Sequence, residues 1–267
     1  ALSTTPEEIE ALALKYTEIK DGEVVLNAKN ITEEELSLVS LYTGAGGRES
    51  QGAEGRGLLD EYYTPDDVVS MTQAVLSELG AFPDSGIVLE PAAGTGAFMG
   101  AIPNNGNTQT VAFEINEIAA RVLKLRYPNT SVAVQPFESL FMGERGEKRK
   151  PGSPYAMVIG NPPYGEHRGR YKGMGEERNI AKYEEYFIKR SLDIVGPGGH
   201  VALIVPSSFL RSGDSNTKLN IASGGMLVSA YRLPNGAFPT TTIGTDLVVF
   251  RKRDTLKEGT DLVSMVN

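Results

Sequence analysis

Two short segments combine residue types that can hold and activate an amino group. The first is Asn161-Pro162-Pro163-Tyr164, directly after the apolar run Ala156–Ile159. Successive prolines fix the backbone and remove two N–H donors. Acceptors remain: the Asn161 side-chain oxygen and the Pro162 carbonyl. Together they can accept both hydrogens of a planar amino group, and Tyr164 offers a flat face for stacking on a ring. An aromatic amine is a poor nucleophile because its lone pair is delocalised. Two acceptors pull it toward tetrahedral geometry and take up positive charge as it attacks a sulfonium methyl. A proline-rich turn after a strand is the ordinary alternative, so the reading depends on what stands upstream.

Upstream stands a glycine turn. Residues 88–98 run Val-Leu-Glu-Pro-Ala-Ala-Gly-Thr-Gly-Ala-Phe, an apolar strand that ends at Glu90 and a turn that opens a helix. Gly94 and Gly96 let backbone N–H groups approach a ligand with no Cβ in the way. Gly94, Gly96 and Gly100 miss the dinucleotide fingerprint G-x-G-x-x-G by one position. Glu90 would repel a phosphate but suits a cation such as the amino group of a methionine moiety. The next strand ends at Glu114, about 20 residues beyond the turn, where a carboxylate accepts from ribose hydroxyls in nucleotide-binding sheets.

These positions need a scaffold, and the apolar pattern supplies one. Strand-like runs at Ile87–Glu90, Val111–Glu114, Val132–Val134, Ala156–Ile159 and Val201–Val205 alternate with helical stretches near Ala97–Ile102, Glu117–Tyr127 and Lys182–Val195. That alternation predicts an α/β fold with a parallel sheet and helices on both faces. Leu227–Tyr231 and Leu247–Arg251 lack a full helix between them and predict a closing antiparallel hairpin. Further upstream, residues 6–20 carry apolar residues at helical spacing (Ile9, Leu12, Ala13, Tyr16). A second helix is expected from Thr32, with Glu33, Glu34 and Glu35 in its first turn. Residues 43–57 read as a glycine-rich loop, and a third helix starts at Thr64-Pro65. Residues 143–154 form a charged insertion containing Gly and Pro.

Composition narrows the chemistry. The chain of 267 residues has no cysteine, which removes disulfides, thiolate metal sites and covalent catalysis by a thiol. Two histidines, His167 and His200, leave little from which to build a metal site, and none is expected. No apolar run approaches membrane-spanning length and no signal peptide is evident, so a cytoplasmic location is expected. The net charge of −8 argues against nucleic-acid binding by the whole surface. One window is basic: Arg145, Lys148, Arg149, Lys150, Arg168, Arg170 and Lys172 face only Glu147 and Glu166. It reads either as a solvated loop or as a local DNA contact engaging about three or four phosphates.

Taken in order, Tyr63-Thr64-Pro65, Leu89-Glu90-Pro91-Ala92-Ala93-Gly94-Thr95-Gly96, Phe113-Glu114-Ile115-Asn116 and Asn161-Pro162-Pro163-Tyr164 resemble the gamma-type adenine-specific DNA methyltransferases. The resemblance covers roughly residues 58–252. Leu41–Gly47 and Gly57–Pro65 are similar, more narrowly, to the methylase domain of large methylase–helicase proteins of phages and mobile elements. The resemblance implies a Rossmann-like S-adenosylmethionine-dependent methyltransferase fold, with a mostly parallel seven-stranded sheet and a C-terminal antiparallel hairpin. It divides the chain into a helical N-terminal extension (1–60), a catalytic domain (61–255) and a tail (256–267) at which a longer protein could continue. It implies S-adenosyl-L-methionine as cofactor. Tyr63, Thr64 and Pro65 would lie at its methionine end. Glu90 would face its amino group, with Ala92, Gly94, Gly96 and Phe98 along the turn. Glu114 would hold the ribose, with Ile115 beside it, and Phe137 would pack on the adenine. Asn161, Pro162, Pro163 and Tyr164 would hold the target base, and Phe238 would pack on it from another side.

The chain departs from the family pattern at two points. Where the family has an Asp before the aromatic that follows the third strand, this chain has Pro136, so Gln135 or Glu138 would replace that contact to the cofactor's amino group. No target-recognition domain is visible, so specificity would come from loops, a further domain or a partner. Four functions compete. Adenine methylation in DNA, by base flipping and direct transfer, fits Thr64-Pro65 and the basic window. Methylation of a protein glutamine amide uses the same Asn-Pro-Pro-Tyr logic and fits the acidic charge. An RNA amino group is a third target, and a non-catalytic DNA-binding relative the fourth.

Overall fold

The structure is a computed structural model that describes residues 4–42, 64–143, 145–166, 180–238 and 243–254. Tyr63, His167, Arg168, Arg170, Lys172, the loop at 43–57 and the tail lie outside the described residues.

Helix α1 (Pro6–Tyr16) starts at a capping box. The Glu8 N–H donates to Thr5 Oγ1 and the Thr5 N–H to the Glu8 carboxylate, satisfying two otherwise orphaned donors. Sequence periodicity carries this helix to residue 20, but the chain leaves it at Tyr16. Strands β1 (Thr17–Lys20) and β2 (Glu23–Leu26) follow as a hairpin around Asp21-Gly22, both at positive φ. Asp-Gly between alternating side chains is a strong two-residue hairpin signal. It overrides a helical pattern that the β-branched residues Thr17, Ile19, Val24 and Val25 support poorly. Helix α2 (Glu33–Val39) repeats the capping box with Thr32 and Glu35. Helix α3 (Asp66–Glu78) has Pro65 as its N-cap.

The main sheet then begins. Strand β3 (Gly86–Glu90) leads into a short 3-10 turn at Ala97–Ala101, where a helix was expected, and then β4 (Thr108–Phe113). Helix α4 (Glu117–Arg126), β5 (Ser131–Ala133), a 3-10 turn at Phe137–Leu140 and β6 (Tyr155–Gly160) follow. Helix α5 (Tyr183–Ile194) runs straight into β7 (Val195–Pro206). Two helices that the pattern did not announce, α6 (Ser208–Arg211) and α7 (Asn216–Gly224), precede β8 (Gly225–Arg232) and β9 (Thr245–Lys252).

The strand order is β1-β2-β5-β4-β3-β6-β7-β9-β8. Strands β5, β4, β3, β6 and β7 are parallel, and β9 inserts antiparallel between β7 and β8. Strands β3 to β9 form the expected seven-stranded sheet with its closing hairpin. The β1–β2 hairpin extends it, pairing antiparallel with β5. Alternation along the strands divides the core. Leu89, Val158, Val201 and Leu203 face α5 and α7, whereas Val88, Met157, Ile159, Ala202 and Ile204 face α3. The N-terminal segment is locked on by Arg121 of α4. Its Nη1 donates to the Thr17 carbonyl and hydroxyl, and its other nitrogens donate to Glu117.

Candidate active site

The strand order reverses between β3 and β6. In open α/β sheets the carboxyl edge at such a point is where ligands bind. Strand β3 delivers Glu90 and the glycine turn there, and its hydrogen-bonded neighbour β6 delivers Asn161. This strand pairing brings the two motifs, 71 positions apart in sequence, side by side. A Cβ on Gly160 would lie 3.5 Å from Glu90 Cγ and 3.6 Å from Pro91 Cδ.

The glycine turn is held from three directions. The Gly94 N–H donates to Glu114 Oε2 at 2.6 Å, and the Asn116 N–H to Glu114 Oε1 at 2.7 Å. Arg126 Nη1 reaches the Thr95 carbonyl at 3.1 Å and its hydroxyl at 3.2 Å. Gly94 and Gly96 both have positive φ, at 54° and 80°. A Cβ on Gly96 would sit 2.8 Å from Leu123 Cγ, so glycine is required there by both backbone and packing. No local pattern singles out Arg126, because its partner lies 31 residues back on a different element.

Glu90 is 2% exposed, and its Oε2 has no hydrogen-bond partner among the described residues. Burial, reinforced by the charge of Glu114 and opposed by Arg126, holds its pKa well above the ordinary carboxylate value. A buried carboxyl lacking a donor at a ligand-binding edge is suited to a cationic donor such as an α-amino group. Ile115, next to Glu114, is 46% exposed at the same edge, an apolar surface of the kind a purine ring covers. The residues therefore fit the methionine and nucleoside ends of S-adenosylmethionine.

Asn161 is half-buried and bonded on both sides. Its Nδ2 donates to Thr64 Oγ1 at 3.2 Å, and the Tyr164 hydroxyl donates to its Oδ1. Thr64, 97 residues upstream, thus joins the Asn-Pro-Pro-Tyr segment directly, with Pro65 behind it at the start of α3. Pro162 is buried and Pro163 half-buried. The segment is closed by Gly165, whose N–H donates to the buried Glu184 carboxylate at 3.0 Å and whose carbonyl accepts from Tyr183. Sequence reasoning did not find Glu184.

The three phenylalanines expected at the site are all buried. Phe98 packs beneath the turn with Val68, Leu76 and Met157. Phe238 is in the same apolar cluster, against which Tyr164 packs while half-buried. Phe137 is stacked on Phe187 at 5.0 Å and edge-on to Phe141 and Tyr186. Ala92 is half-buried against that second cluster. Two residues on from Pro136, Glu138 is buried, and its Oε2 has no hydrogen-bond partner among the described residues. Burial pushes its pKa up to about 7.

In the basic window, Arg145, Lys148, Arg149 and Lys150 are exposed. Arg149 is partly committed, to the Ser139 carbonyl at 3.1 Å and to Glu147 at 3.5 Å. Among the described residues there is no cluster of ligands for a metal ion, and no helix is long and apolar enough to cross a membrane.

Sheet order and site together define the fold of the S-adenosylmethionine-dependent methyltransferases, as the sequence resemblance implied. A class I S-adenosylmethionine-dependent methyltransferase structure from Listeria monocytogenes aligns over 79% of this chain and 73% of that one, at 14% identity and a TM-score of 0.57. The type I restriction-modification methyltransferase subunit of Streptococcus thermophilus aligns over 72% and 45%, at 17% identity and a TM-score of 0.53. Residues 109–227 match the Eco57I restriction-modification methylase family. Defense against restriction protein B of Escherichia phage P1 is 32% identical over 238 residues, or 85% of this chain and 10% of that protein. The chain thus spans a tenth of that relative's length. The resemblance to restriction-modification methylases, and to proteins carried by phages, is borne out.

Proposed function

We propose that this chain methylates the exocyclic amino group of adenine in DNA. Its cofactor is S-adenosylmethionine, the cofactor of the methyltransferases it is related to, which supplies the methyl as a sulfonium electrophile. The observation that carries the reading is the juxtaposition of two chemically distinct motifs at the ends of adjacent strands. Glu90 and the Gly94/Gly96 turn suit an aminoacyl nucleoside, and Asn161-Pro162-Pro163-Tyr164 suits a planar amine beside it. Glu90 receives the cofactor's ammonium. Glu114, which fixes Gly94 and Asn116, also accepts from the ribose hydroxyls. Asn161 Oδ1 and the Pro162 carbonyl accept the amine's two hydrogens, while Tyr164 stacks on the base. The target must leave the duplex to reach them.

Sequence specificity is assigned to loops, a further domain or a partner. Labelled-methyl transfer to DNA, RNA and glutamine-containing peptide tests the reading. Adenine in DNA should be labelled, and Asn161→Ala should remove the label while leaving S-adenosylhomocysteine affinity nearly unchanged, as expected of an interaction made in the transition state. Preferential labelling of peptide or RNA would replace the substrate assignment. Stronger binding of NAD than of S-adenosylhomocysteine would overturn the cofactor.

A further inference from the structure

At the carboxyl edge, beyond β7, stands a polar cluster that the methyl-transfer site does not use. Asp246, at the start of β9, is 1% exposed. It lies in register between Val205 of β7 and Arg232 of β8. Its Oδ1 accepts from the Ser207 hydroxyl at 2.9 Å and from Arg232 Nε. Its Oδ2 has no partner among the described residues. The Ser207 carbonyl in turn accepts from Arg211 Nε at 3.4 Å. Two arginines from different elements, α6 and β8, are therefore anchored to one buried Ser–Asp pair.

Both arginines are held through Nε, which leaves the rest of each planar fork to bind a second acceptor. Arg211 is exposed, and the Arg232 side chain is 54% exposed although its partner is buried. A surface ion pair would contribute little to stability. Here one end of the pair is fixed in the core, so the guanidinium is preorganised and loses less side-chain freedom on meeting an anion.

The two arginines also stand at the same sheet edge as the target segment. Strand β8 runs parallel to β7, so its last residue Arg232 lies at the same edge as Asn161 after β6 and Ser207 after β7. Three strand spacings separate β6 from β8, roughly 14 Å. Along the axis of a B-form duplex that distance corresponds to about four base-pair steps, at about 3.4 Å each. Phe238, six residues on from Arg232, is buried in the apolar cluster against which Tyr164 packs. Asp214, on the exit from α6, is exposed and three residues from Arg211.

We infer that Arg211 and Arg232, held by Ser207 and Asp246, form a phosphate clamp on the nucleic-acid strand that carries the flipped base. The ligand is the phosphodiester backbone and is read without regard to sequence, and the clamp adds to the exposed Arg145, Lys148, Arg149 and Lys150. This inference rests on the substrate reading above.

The test is a salt titration of binding to a short duplex with one unpaired adenine, followed by fluorescence anisotropy. The proteins compared are wild type, Arg211→Gln, Arg232→Gln and Arg232→Lys, and S-adenosylhomocysteine affinity is measured for each. Each Gln variant should reduce the slope of log affinity against log salt by about 0.9 and leave S-adenosylhomocysteine affinity unchanged. Arg232→Lys should restore most of the slope. Arg211→Gln leaves the Asp246 pair intact, so it separates phosphate contact from any loosening of the β8–β9 hairpin. A wild-type slope that both Gln variants retain would overturn the clamp alone. A wild type with no salt-dependent affinity for DNA would overturn the DNA reading along with it.

Discussion

The Tyr164 hydroxyl donates a hydrogen bond to Asn161 Oδ1, while Asn161 Nδ2 is committed to Thr64. The oxygen proposed to accept the target amine therefore already has a donor. That bond fixes the amide's orientation, but the target has to displace or share it. Tyr164→Phe keeps the stacking face and removes the competing donor. It should leave turnover within a few-fold of wild type and tighten KM for the base. Tyr164→Ala removes the face as well and should lose turnover by about fivefold to a hundredfold or more, the scale of about one to three kcal/mol expected for base–aromatic stacking. Steady-state transfer kinetics check both. If Tyr164→Phe were as damaged as Tyr164→Ala, the hydroxyl rather than the ring would carry the role.

Glu90 is buried, lacks a donor on Oε2 among the described residues and has its pKa held well above the ordinary value. A cofactor ammonium placed against it favours the ionised form. Binding should therefore release protons, and affinity should rise with pH until the cofactor's own amino group deprotonates. Calorimetry with S-adenosylhomocysteine in two buffers of different ionisation enthalpy measures this. The buffer-dependent heat should vanish in Glu90→Gln. If it persisted there, the proton would come from elsewhere, with Glu138 the next candidate source.

Gly96 is at φ 80° with Leu123 Cγ 2.8 Å from where a Cβ would lie. Gly96→Ala combines a strained backbone with overpacking against α4. It should cost about 2–4 kcal/mol of stability and weaken S-adenosylhomocysteine binding, because the turn also positions the Gly94 N–H. Gly100→Ala is the comparison. Its nearest neighbour is the Tyr127 hydroxyl at 3.1 Å, the movable end of a side chain, so its loss of thermal stability should be clearly smaller. Equal losses would mean that the turn's left-handed geometry is not what makes Gly96 necessary.

What could be read from the sequence, and what could not, follows from the range of the interactions. The glycine turn, Glu114 and the Asn-Pro-Pro-Tyr segment are short-range chemical patterns at strand ends, so their placement at one sheet edge followed from the βαβ alternation. The β1–β2 hairpin was hidden because Ile9, Leu12, Ala13 and Tyr16 carry a true helical period that runs into Thr17–Lys20 without a proline or glycine to stop it. Only Asp21-Gly22 marked the turn. Arg126, Glu184 and the Ser207–Asp246–Arg232 cluster were not legible. Each acts on a partner 14 to 39 residues away, and nothing in the local composition singles it out. Phe98, Phe137 and Phe238 show the converse. An aromatic beside a motif is readable, but whether its ring meets ligand or core depends on packing from α3 and α5.

Glu138 links the site to the pH dependence of the whole domain. Burial raises its pKa to about 7, above the ordinary value of about 4.3 in an unfolded chain. Between those values the folded protein holds a proton that the unfolded chain has released. The contribution to stability is complete below the unfolded value and is lost as pH rises through about 7. Its full size is on the order of 3 kcal/mol. Glu90 and Glu184, also raised by burial, act in the same direction. Glu35, lowered to about 2 by Tyr16 and Lys15, acts oppositely only in more acidic solution, and His200, lowered by burial and by Arg251, acts oppositely as pH rises toward the ordinary histidine value. Thermal unfolding should thus show the melting temperature falling from pH 5 to pH 8. Glu138→Gln, which keeps the shape without the ionisation, should flatten that fall and raise stability at pH 8. Saturating S-adenosylhomocysteine should also reduce the fall for the wild type if the Glu138 Oε2 accepts from the cofactor's amino group in place of the family's aspartate. A wild-type melting temperature that rises steadily from pH 5 to pH 8 would show that Glu138 is ionised in the folded protein at no extra cost, and would remove it as the substitute for that aspartate.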